Sequence, residues 1–442
     1  MANFANRTQE EWRHTTLGAL GSFATSSTDK KTIPGELLVR LINYMDVYRS
    51  PFIDTATPLM RVSASLSEIA KAQVKRGDVY FTPSSETPDD IGHSAVLVDA
   101  LENTLHSYHT VRFRLHDQDA IHLRFRGRFA NAFAPLKHFS LRATGSTRYT
   151  LSLDDFRATP VSLPPLGEQA CIAHILDTLD TAIRQTEAII AKLKQVKQGL
   201  LHDLLTRGID ANGELRPPQS QAPHLYKPSP LGWIPKEWDV RPLARYTSSD
   251  ITYGIVQAGP NIEHGVPYIR TGDMLDDGLD RASLLCTSRR IADSYKRSEV
   301  HVGDLVIAIR ATVGKVLPVP ADLDGANLTQ GTARIAPNAR TDPTFLLWAI
   351  RHHRAQQSIL SEIKGTTFAE ITLADLRQVP LAAPTDIQEQ RQIGERLQAG
   401  DDSIRSLCRE LGKLQLQKSG LMDDLLTGRV RVTPLLEAAA AP

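Results

Sequence analysis

The chain has 442 residues, of which 41% are hydrophobic and 23% charged, the composition of an ordinary globular protein of roughly two to four domains. It carries 51 Lys and Arg against 50 Asp and Glu, so it lacks the overall positive charge of many small nucleic-acid-binding proteins. Its three cysteines show no CxxC spacing, which argues against a thiolate metal site, and no apolar run approaches the about 18 residues of a membrane span. We therefore expect a cytoplasmic protein.

In chain order, the predicted elements are a globular part followed by a long helix, and then the same arrangement again. Apolar runs separated by Gly, Pro and Asp predict strands at 79–81, 95–98, 305–309 and 333–335. Prolines between the two halves block helix formation and mark a linker. The predicted segments are a globular domain over 1–164, a helix over 165–207, a linker over 208–230, a globular domain over 231–384, a helix over 385–428 and a tail over 429–442, which we expect to be frayed over 435–442.

The second half of the chain repeats the first. Residues 197–206 (KQGLLHDLLT) recur as residues 418–427 (KSGLMDDLLT), 221 positions later. The stretches 145–164 and 365–384 share Gly, Leu, Asp, Arg and Pro positions, and Gly77 with Asp78 has a counterpart in Gly303 with Asp304. Because these matches keep the same order in both halves, the sequence predicts an internal duplication.

Both predicted helices carry an apolar heptad pattern in the same phase. The seam positions are Ile172, Leu176, Leu179, Ile183, Ile190, Leu193, Leu200 and Leu204 in the first helix, and Ile393, Leu397, Ile404, Leu407, Leu411, Leu414, Leu421 and Leu425 in the second. Such a pattern favours a coiled coil, and duplicated halves related by a pseudo-twofold axis make its helices antiparallel. The alternative is two independent helices, each packed on its own domain.

The sequence contains few signs of catalysis. It has no glycine-rich nucleotide-binding loop, no HExxH, no GxSxG and no NPPY-like or DPPY-like methyl-transfer motif. The pairs His106 with His109 and His352 with His353 lack carboxylates at ligand spacing, so we interpret them as surface or hydrogen-bonding histidines and assign no metal. We assign no catalytic residue and expect the chain to bind no cofactor.

Local features favour a binding role. Residues 101–150 contain eight Lys or Arg against three acids, and Arg124, Arg126 and Arg128 would share one face if that segment were extended. Loops with hydroxyl and basic side chains follow the two Gly-Asp strands, and such groups reach phosphates and base edges. The candidate DNA contacts are Thr82, Ser84, Ser85, Thr87, His93, Thr147 and Arg148 in the first domain, and Arg310, Thr312, Lys315, Lys364, Thr366 and Thr367 in the second.

These motifs together resemble one known family. Residues 164–169 (PPLGEQ) lead into a heptad helix that ends at 199–206 (GLLHDLLT), and the second half repeats this with QEQ at 388–390 and 420–427. With LGWIPKEW at 231–238 and the two Gly-Asp strands, the chain resembles the DNA-specificity (S) subunit of type I restriction-modification systems. The resemblance implies an α+β fold with two target-recognition domains joined by two long helices that form an antiparallel coiled coil, with a pseudo-twofold internal repeat.

The resemblance also implies a function and partners. The subunit is expected to be non-catalytic, each recognition domain reading one half of a bipartite, asymmetric sequence in double-stranded DNA. Its helices would fix the spacer and dock modification (methyltransferase) subunits, two in number, which bind S-adenosylmethionine; restriction subunits, a further partner class, use ATP and Mg²⁺. The first domain fits the family pattern less well than the second domain does. The loop after its Gly-Asp strand contains Ser84 and Ser85 and has no basic residue before His93.

Two other functions stay open at this point. One is a coiled-coil adaptor with two protein-binding domains, and the other is a self-contained DNA-modifying enzyme. Salt-dependent DNA binding separates the main hypothesis from the first, and S-adenosylmethionine binding or DNA cleavage by the chain alone would favour the second. For the main hypothesis, the predicted helix length and the DNA repeat give a non-specific spacer of roughly 5–8 base pairs.

Overall fold

The computed structural model describes residues 12–276, 278–364 and 369–440. The chain divides into two units, the first comprising residues 1–186 with 411–442 and the second residues 187–410. The two longest helices are α7 (Leu166–Thr206) and α12 (Ile387–Leu426), and each contributes one part to each unit. The units therefore do not end where the predicted segments end: each holds one globular part together with portions of both helices.

The first unit contains the chain up to the middle of α7. Its strands are β1 (Arg13–Thr16), β2 (Gly21–Ala24), β3 (Leu37–Ile42), β4 (Phe52–Ile53), β5 (Met60–Ala64), β6 (Val79–Phe81), β7 (Ser84–Ser85), β8 (Ser94–Leu97), β9 (Thr104–His106), β10 (Val111–Leu115), β11 (Tyr149–Thr150) and β12 (Pro160–Leu163). Its shorter helices are α1 (Leu17–Leu20), α2 (Tyr44–Arg49), α3 (Leu66–Ala72), α4 (Leu123–Phe129), α5 (Phe133–Arg142) and α6 (Leu153–Arg157).

The sheets of the first unit surround an aromatic core. The strand orders are β2-β10-β6-β8-β4, β5-β3-β9, β1-β12 and β11-β7. In the largest sheet β10 is antiparallel to β6, with Phe113 opposite Val79. Phe81, Phe113, Phe139 and Phe156 are fully buried, and the Phe139 and Phe156 ring centroids lie 5.1 Å apart. Burial of such rings is the main favourable contribution to folding.

The second unit repeats this arrangement. Its strands are β13 (Tyr226–Ser229), β14 (Gly232–Pro235), β15 (Trp238–Pro242), β16 (Thr252–Tyr253), β17 (Val266–Ile269), β18 (Cys286–Thr287), β19 (Leu305–Ala308), β20 (Val316–Pro318), β21 (Asn327–Leu328), β22 (Thr332–Ile335) and β23 (Pro380–Pro384). Its shorter helices are α8 (Arg289–Ser294), α9 (Pro343–Arg351), α10 (His353–Ser361) and α11 (Leu373–Gln378). The order β16-β22-β19-β20 corresponds to β2-β10-β6-β8, and the pair β15-β23 corresponds to β1-β12.

The repeated sequence signatures have local structural causes. The α6 and α11 helices begin with equivalent caps, in which Ser152 accepts from the Asp155 amide and Thr372 from the Asp375 amide. Gln169 donates to the Pro164 carbonyl and accepts from the His122 amide, while Gln390 bonds the Pro384 carbonyl and the Asp342 amide in the same way. The glutamine of each Glu-Gln motif thus ties the start of a long helix to its own globular part.

The two long helices run antiparallel in each unit. In the first unit α7 and α12 contribute Leu176 and Leu425 to one hydrophobic core, and Asp180 pairs with Lys418 at 2.6 Å. The second unit has the equivalent ion pair between Lys197 and Asp401. Because residue numbers rise along α7 as those of their α12 partners fall, the helices are antiparallel, as predicted. All of the predicted seam residues are buried or half-buried, so the alternative of two independent helices is wrong.

The C-terminal segment is ordered where we expected a frayed tail. Val432 is 1% exposed in the core of the first unit, and helix α13 spans Thr433–Ala440. Arg431 forms an ion pair with Glu168 at the start of α7. The prediction of a frayed end is therefore wrong for residues 435–440, which lie in helix α13, and the buried valine and the ion pair anchor the segment where the helix begins. Likewise, part of the predicted linker is ordered, since Ile209 is buried and pairs with Leu215.

Candidate nucleic-acid interface

The two Gly-Asp motifs fix the base of the strands that lead to the candidate loops. Gly77 and Gly303 adopt φ values of +89° and +93°, a region that favours glycine. Asp78, 1% exposed, accepts two hydrogen bonds of 2.6 Å from Arg114 on the neighbouring strand β10. Asp304 accepts a hydrogen bond from Arg334 on β22, with an Nε to Oδ2 distance of 2.6 Å. Each motif therefore locks two central strands together by a charge-assisted contact.

In the first unit the structure brings the two predicted loops together. β7 pairs with β11, so that Ser85 lies opposite Tyr149 and Ser84 opposite Thr150. Arg148 donates to the Ser84 hydroxyl from Nε and Nη2, at 3.2 and 3.1 Å. Thr87, Thr147 and Arg148 are exposed beside this pairing. The exposed hydroxyl and guanidinium groups form a polar surface that can donate to phosphates and base edges.

Three other predicted residues of the first unit are not freely exposed. Thr82 is 0% and Ser85 8% exposed, so neither side chain is available for direct contact with a ligand. The half-buried His93 binds Asp90 at 2.7 Å and contacts the edge of the Tyr48 ring. Sequence reasoning missed Tyr48, which is 40% exposed and donates to the same aspartate, because its helix α2 lies far from the loop in sequence.

The second unit pairs its loops in an equivalent way. Arg310 forms an antiparallel bridge with Glu370, and its Nη2 donates to the Glu370 carboxylate at 2.9 Å. The following Ala311 has a φ of +60°, an uncommon conformation for a residue with a side chain, and it turns the loop sharply. Thr312 is exposed at the turn. Thr366 and Thr367 lie outside the described residues.

Two basic candidates of the second unit form ion pairs with acidic side chains. Lys315 donates to Asp276 at 2.7 Å, and the hydrogen bond from this lysine lowers the pKa of the fully exposed Asp276 carboxyl. Lys364 likewise donates to Asp375 at 2.8 Å. Exposed ion pairs contribute little to stability, so a phosphate can replace the acid at small cost. These contacts orient the two lysine side chains and leave them able to bind a phosphate.

A groove of about 1390 Å³ in the second unit adjoins this loop. Residues 311–315 line one part of it, and α7 and α12 line another. Its basic lining residues are Lys194, Lys197, Lys315, Arg351, Arg405 and Arg409, and its acidic ones are Asp276, Asp401 and Asp402. The excess of basic groups suits a polyanion. The sequence did not indicate the contributions of the helices, because they come together only in the fold.

Arg112 and Arg114 lie on strand β10, but the expectation that Arg124, Arg126 and Arg128 form an extended segment is wrong. Arg124, Arg126 and Arg128 lie on helix α4, and the last two are 4% and 1% exposed. Arg128 binds Asp177 and Asp180 of α7, while Arg126 donates to the Gln118 side chain. Burial lowers the Arg126 pKa below its usual value. Arg124 and Arg128 therefore join α4 to the long helix, and Arg126 binds within the globular part, so Arg126 and Arg128 do not contribute to an exposed basic surface.

A sequence profile for the family described as "Type I restriction modification DNA specificity domain" matches residues 14–195 and 256–414. The chain belongs to this family. The match spans more than half of the sequence and covers most of both globular parts, in agreement with the internal repeat. In the described residues, no helix combines the length and the apolar character needed to cross a membrane.

Individual relatives are distant in sequence. A specificity subunit of Methanocaldococcus jannaschii assigned to the type I restriction enzyme MjaX is 26% identical over 373 residues, which are 83% of this chain and 81% of that protein. The EcoBI specificity subunit of Escherichia coli is 28% identical over 255 residues, 56% of this chain and 52% of its own. The S subunit of M. genitalium, a solved structure, shares the fold with a TM-score of 0.56 at 14% identity, covering 95% of this chain and 97% of that one.

Proposed function

We propose that this chain is the DNA-specificity subunit of a type I restriction-modification system, which reads a split target with its two recognition domains. One observation carries the proposal: two equivalent scaffolds present paired polar loops that differ in sequence. Ser84 and Arg148 meet in the first unit, and Arg310 and Glu370 meet in the second. Equal scaffolds with different loops are suited to reading two different half-sites of one asymmetric sequence.

The proposal assigns catalysis to partner subunits. Relatives are named as specificity subunits, a role separate from methylation and cleavage. We propose that two modification subunits dock on the helical region and supply bound S-adenosylmethionine, and that restriction subunits, where present, use ATP and Mg²⁺. The repeated helices support two modification subunits, because each of the two repeats offers an equivalent docking surface for one subunit. The paired helices also fix the length of the spacer between the half-sites, which we propose to be roughly 5–8 base pairs.

The test of this function is a substitution in each loop. Arg310→Ala should relax the sequence preference in one half of the methylated target by about 1–3 kcal/mol and leave the other half unchanged. Arg148→Ala should have the complementary effect. The measurement is the methylation pattern of DNA from cells that express each variant with the modification subunit.

A matched control is Arg289→Ala, which removes an arginine that is 80% exposed elsewhere in the second unit. It should leave both halves of the target unchanged. An equal loss of methylation at all sequences would assign Arg310 to a phosphate rather than a base. If neither loop substitution altered either half-site, the proposal that these loops read DNA would be wrong.

A further inference from the structure

Three histidines from distant parts of the sequence converge in the second unit. His202 lies on α7, His352 follows the last residue of α9, and His353 begins α10. One ring nitrogen from each lies within 4.8 Å of the others. The centroids of the His352 and His353 rings are 4.2 Å apart, and that of His202 lies 6.0 Å from His353. Spacing in the sequence could show only the adjacent pair.

The central member of this cluster lacks a hydrogen-bond partner. His352 is 5% exposed, and among the described residues its Nε2 is buried without a donor or acceptor. A buried polar atom in this state costs free energy unless something binds it. A metal ion is one partner that could satisfy this nitrogen. Neutral imidazole is the form that binds metal ions.

We propose that His202, His352 and His353 form a binding site for a divalent transition-metal ion of the zinc class. Three imidazoles with a fourth position open to water match a common zinc coordination. In a tetrahedral site with bonds of about 2.0–2.1 Å, ligand nitrogens lie roughly 3.3–3.4 Å apart, so the rings must approach by about 1.5 Å at most. His202 and His353 are exposed and can rotate to close this distance.

The surroundings define which ions bind. Arg354 directly follows His353 in the chain, so it places a positive charge near the cluster. The same charge opposes a cation that gains little from imidazole, such as Mg²⁺ or Ca²⁺, whereas Zn²⁺, Ni²⁺ and Cu²⁺ gain enough from nitrogen ligands. A bound ion would link α7 to the α9–α10 junction, both within the second unit, and thereby stabilise the recognition domain on its helix.

The experiment is a Zn²⁺ titration of the full chain after treatment with EDTA. The wild type should bind one Zn²⁺ through this cluster, with a rise in Tm of about 2–4 °C or more in the second unit's transition. His202→Ala and His353→Ala should each weaken the Kd by about tenfold or more and remove the Tm rise. Both side chains are exposed, so these variants should fold. A blue tetrahedral Co²⁺ spectrum in the wild type, absent from both variants, is an independent expected readout.

The control is His224→Ala, an exposed histidine outside the cluster, which should bind Zn²⁺ like the wild type. Mg²⁺ should produce no change in Tm in any of these proteins. The proposal is overturned if the wild type takes up no Zn²⁺ at stoichiometric concentration. Equal Kd and stoichiometry in the wild type, His202→Ala and His353→Ala would overturn it as well, since binding would then lie elsewhere.

Discussion

Asp180→Ala should lower the free energy of unfolding by about 3 kcal/mol, because it removes one partner of a buried ion cluster. The Asp180 carboxylate binds Lys418 across the helix seam and Arg128 on α4. The Arg128 side chain is 1% exposed, so loss of the carboxylate leaves a largely desolvated positive charge. Asp177 still compensates part of that charge. The expected loss of unfolding free energy is therefore at the lower end of the range of roughly 3–5 kcal/mol that is typical when a buried ion pair loses one partner. Urea denaturation at pH 7 measures it.

Two further variants test whether the loss of stability comes from the ion cluster or from any substitution on this helix. Glu187→Ala removes an exposed acid from the same helix and should change stability by no more than about 0.5 kcal/mol. Lys418→Met in the Asp180→Ala background should recover part of the loss, since it removes one of the uncompensated charges. If Asp180→Ala were as stable as the Glu187→Ala control, the seam ion cluster would have no structural role.

The same carboxylate should contribute to acid sensitivity. Burial raises the Asp180 pKa, but the hydrogen bonds and charges of Lys418 and Arg128 outweigh it, and the net pKa lies below the ordinary 3.8. A lowered native pKa means that the stabilisation is present above the unfolded value and is lost as the pH falls through the native one. The stability difference between wild type and Asp180→Ala should therefore be constant from pH 7 to about 5 and shrink below about pH 4.

Glu389→Ala should destabilise the second unit by about 3–5 kcal/mol. Glu389 is the acid of the second Glu-Gln motif and is 8% exposed. It accepts from the Trp238 indole and the Ile209 amide, each at 3.1 Å, and pairs through both oxygens with Arg216. Removing the Glu389 carboxylate leaves the Arg216 guanidinium, whose side chain is 11% exposed, without its partner. The two buried N–H groups also lose their acceptor.

Hydrogen exchange resolved along the sequence shows which part of the chain Glu389→Ala destabilises. Faster exchange should appear in residues 187–410, with the first unit unaffected. Glu395→Ala, an exposed acid on the same helix, serves as the control and should exchange like the wild type. The equivalent Glu168→Ala should cost less, because its partner Arg431 is 31% exposed. Unchanged exchange in Glu389→Ala would contradict the role given to this motif.

The features that sequence predicted well are those with local or periodic causes. The seam follows from a 3.5-residue apolar period, and the repeat supplies it twice. Lys197 and Lys418 interrupt that period as weak positions, and the structure explains both, since each pairs with an aspartate of the opposite helix. The strands at 79–81 and 305–309 follow from short apolar runs, and β6 and β19 occupy them, β19 ending at Ala308.

The features that sequence missed depend on contacts between distant residues. Arg126 and Arg128 alternate as on a strand, yet they lie on a helix and are buried, because Gln118 and two acids of α7 satisfy them. His202 and Glu370 meet their partners only through tertiary folding, so no spacing rule reveals them. Burial of Thr82 is equally non-local, since it depends on the strand pairing around His93.

The most direct test of the central claim is to map methylated adenines in DNA from cells that express this chain with its modification subunit. Cells that express the modification subunit alone are the control. A specificity subunit with two recognition domains predicts a split motif of two short defined halves, separated by a constant gap of roughly 5–8 base pairs and present only with this chain. A contiguous motif, or a methylation pattern that is the same without this chain, would contradict the account.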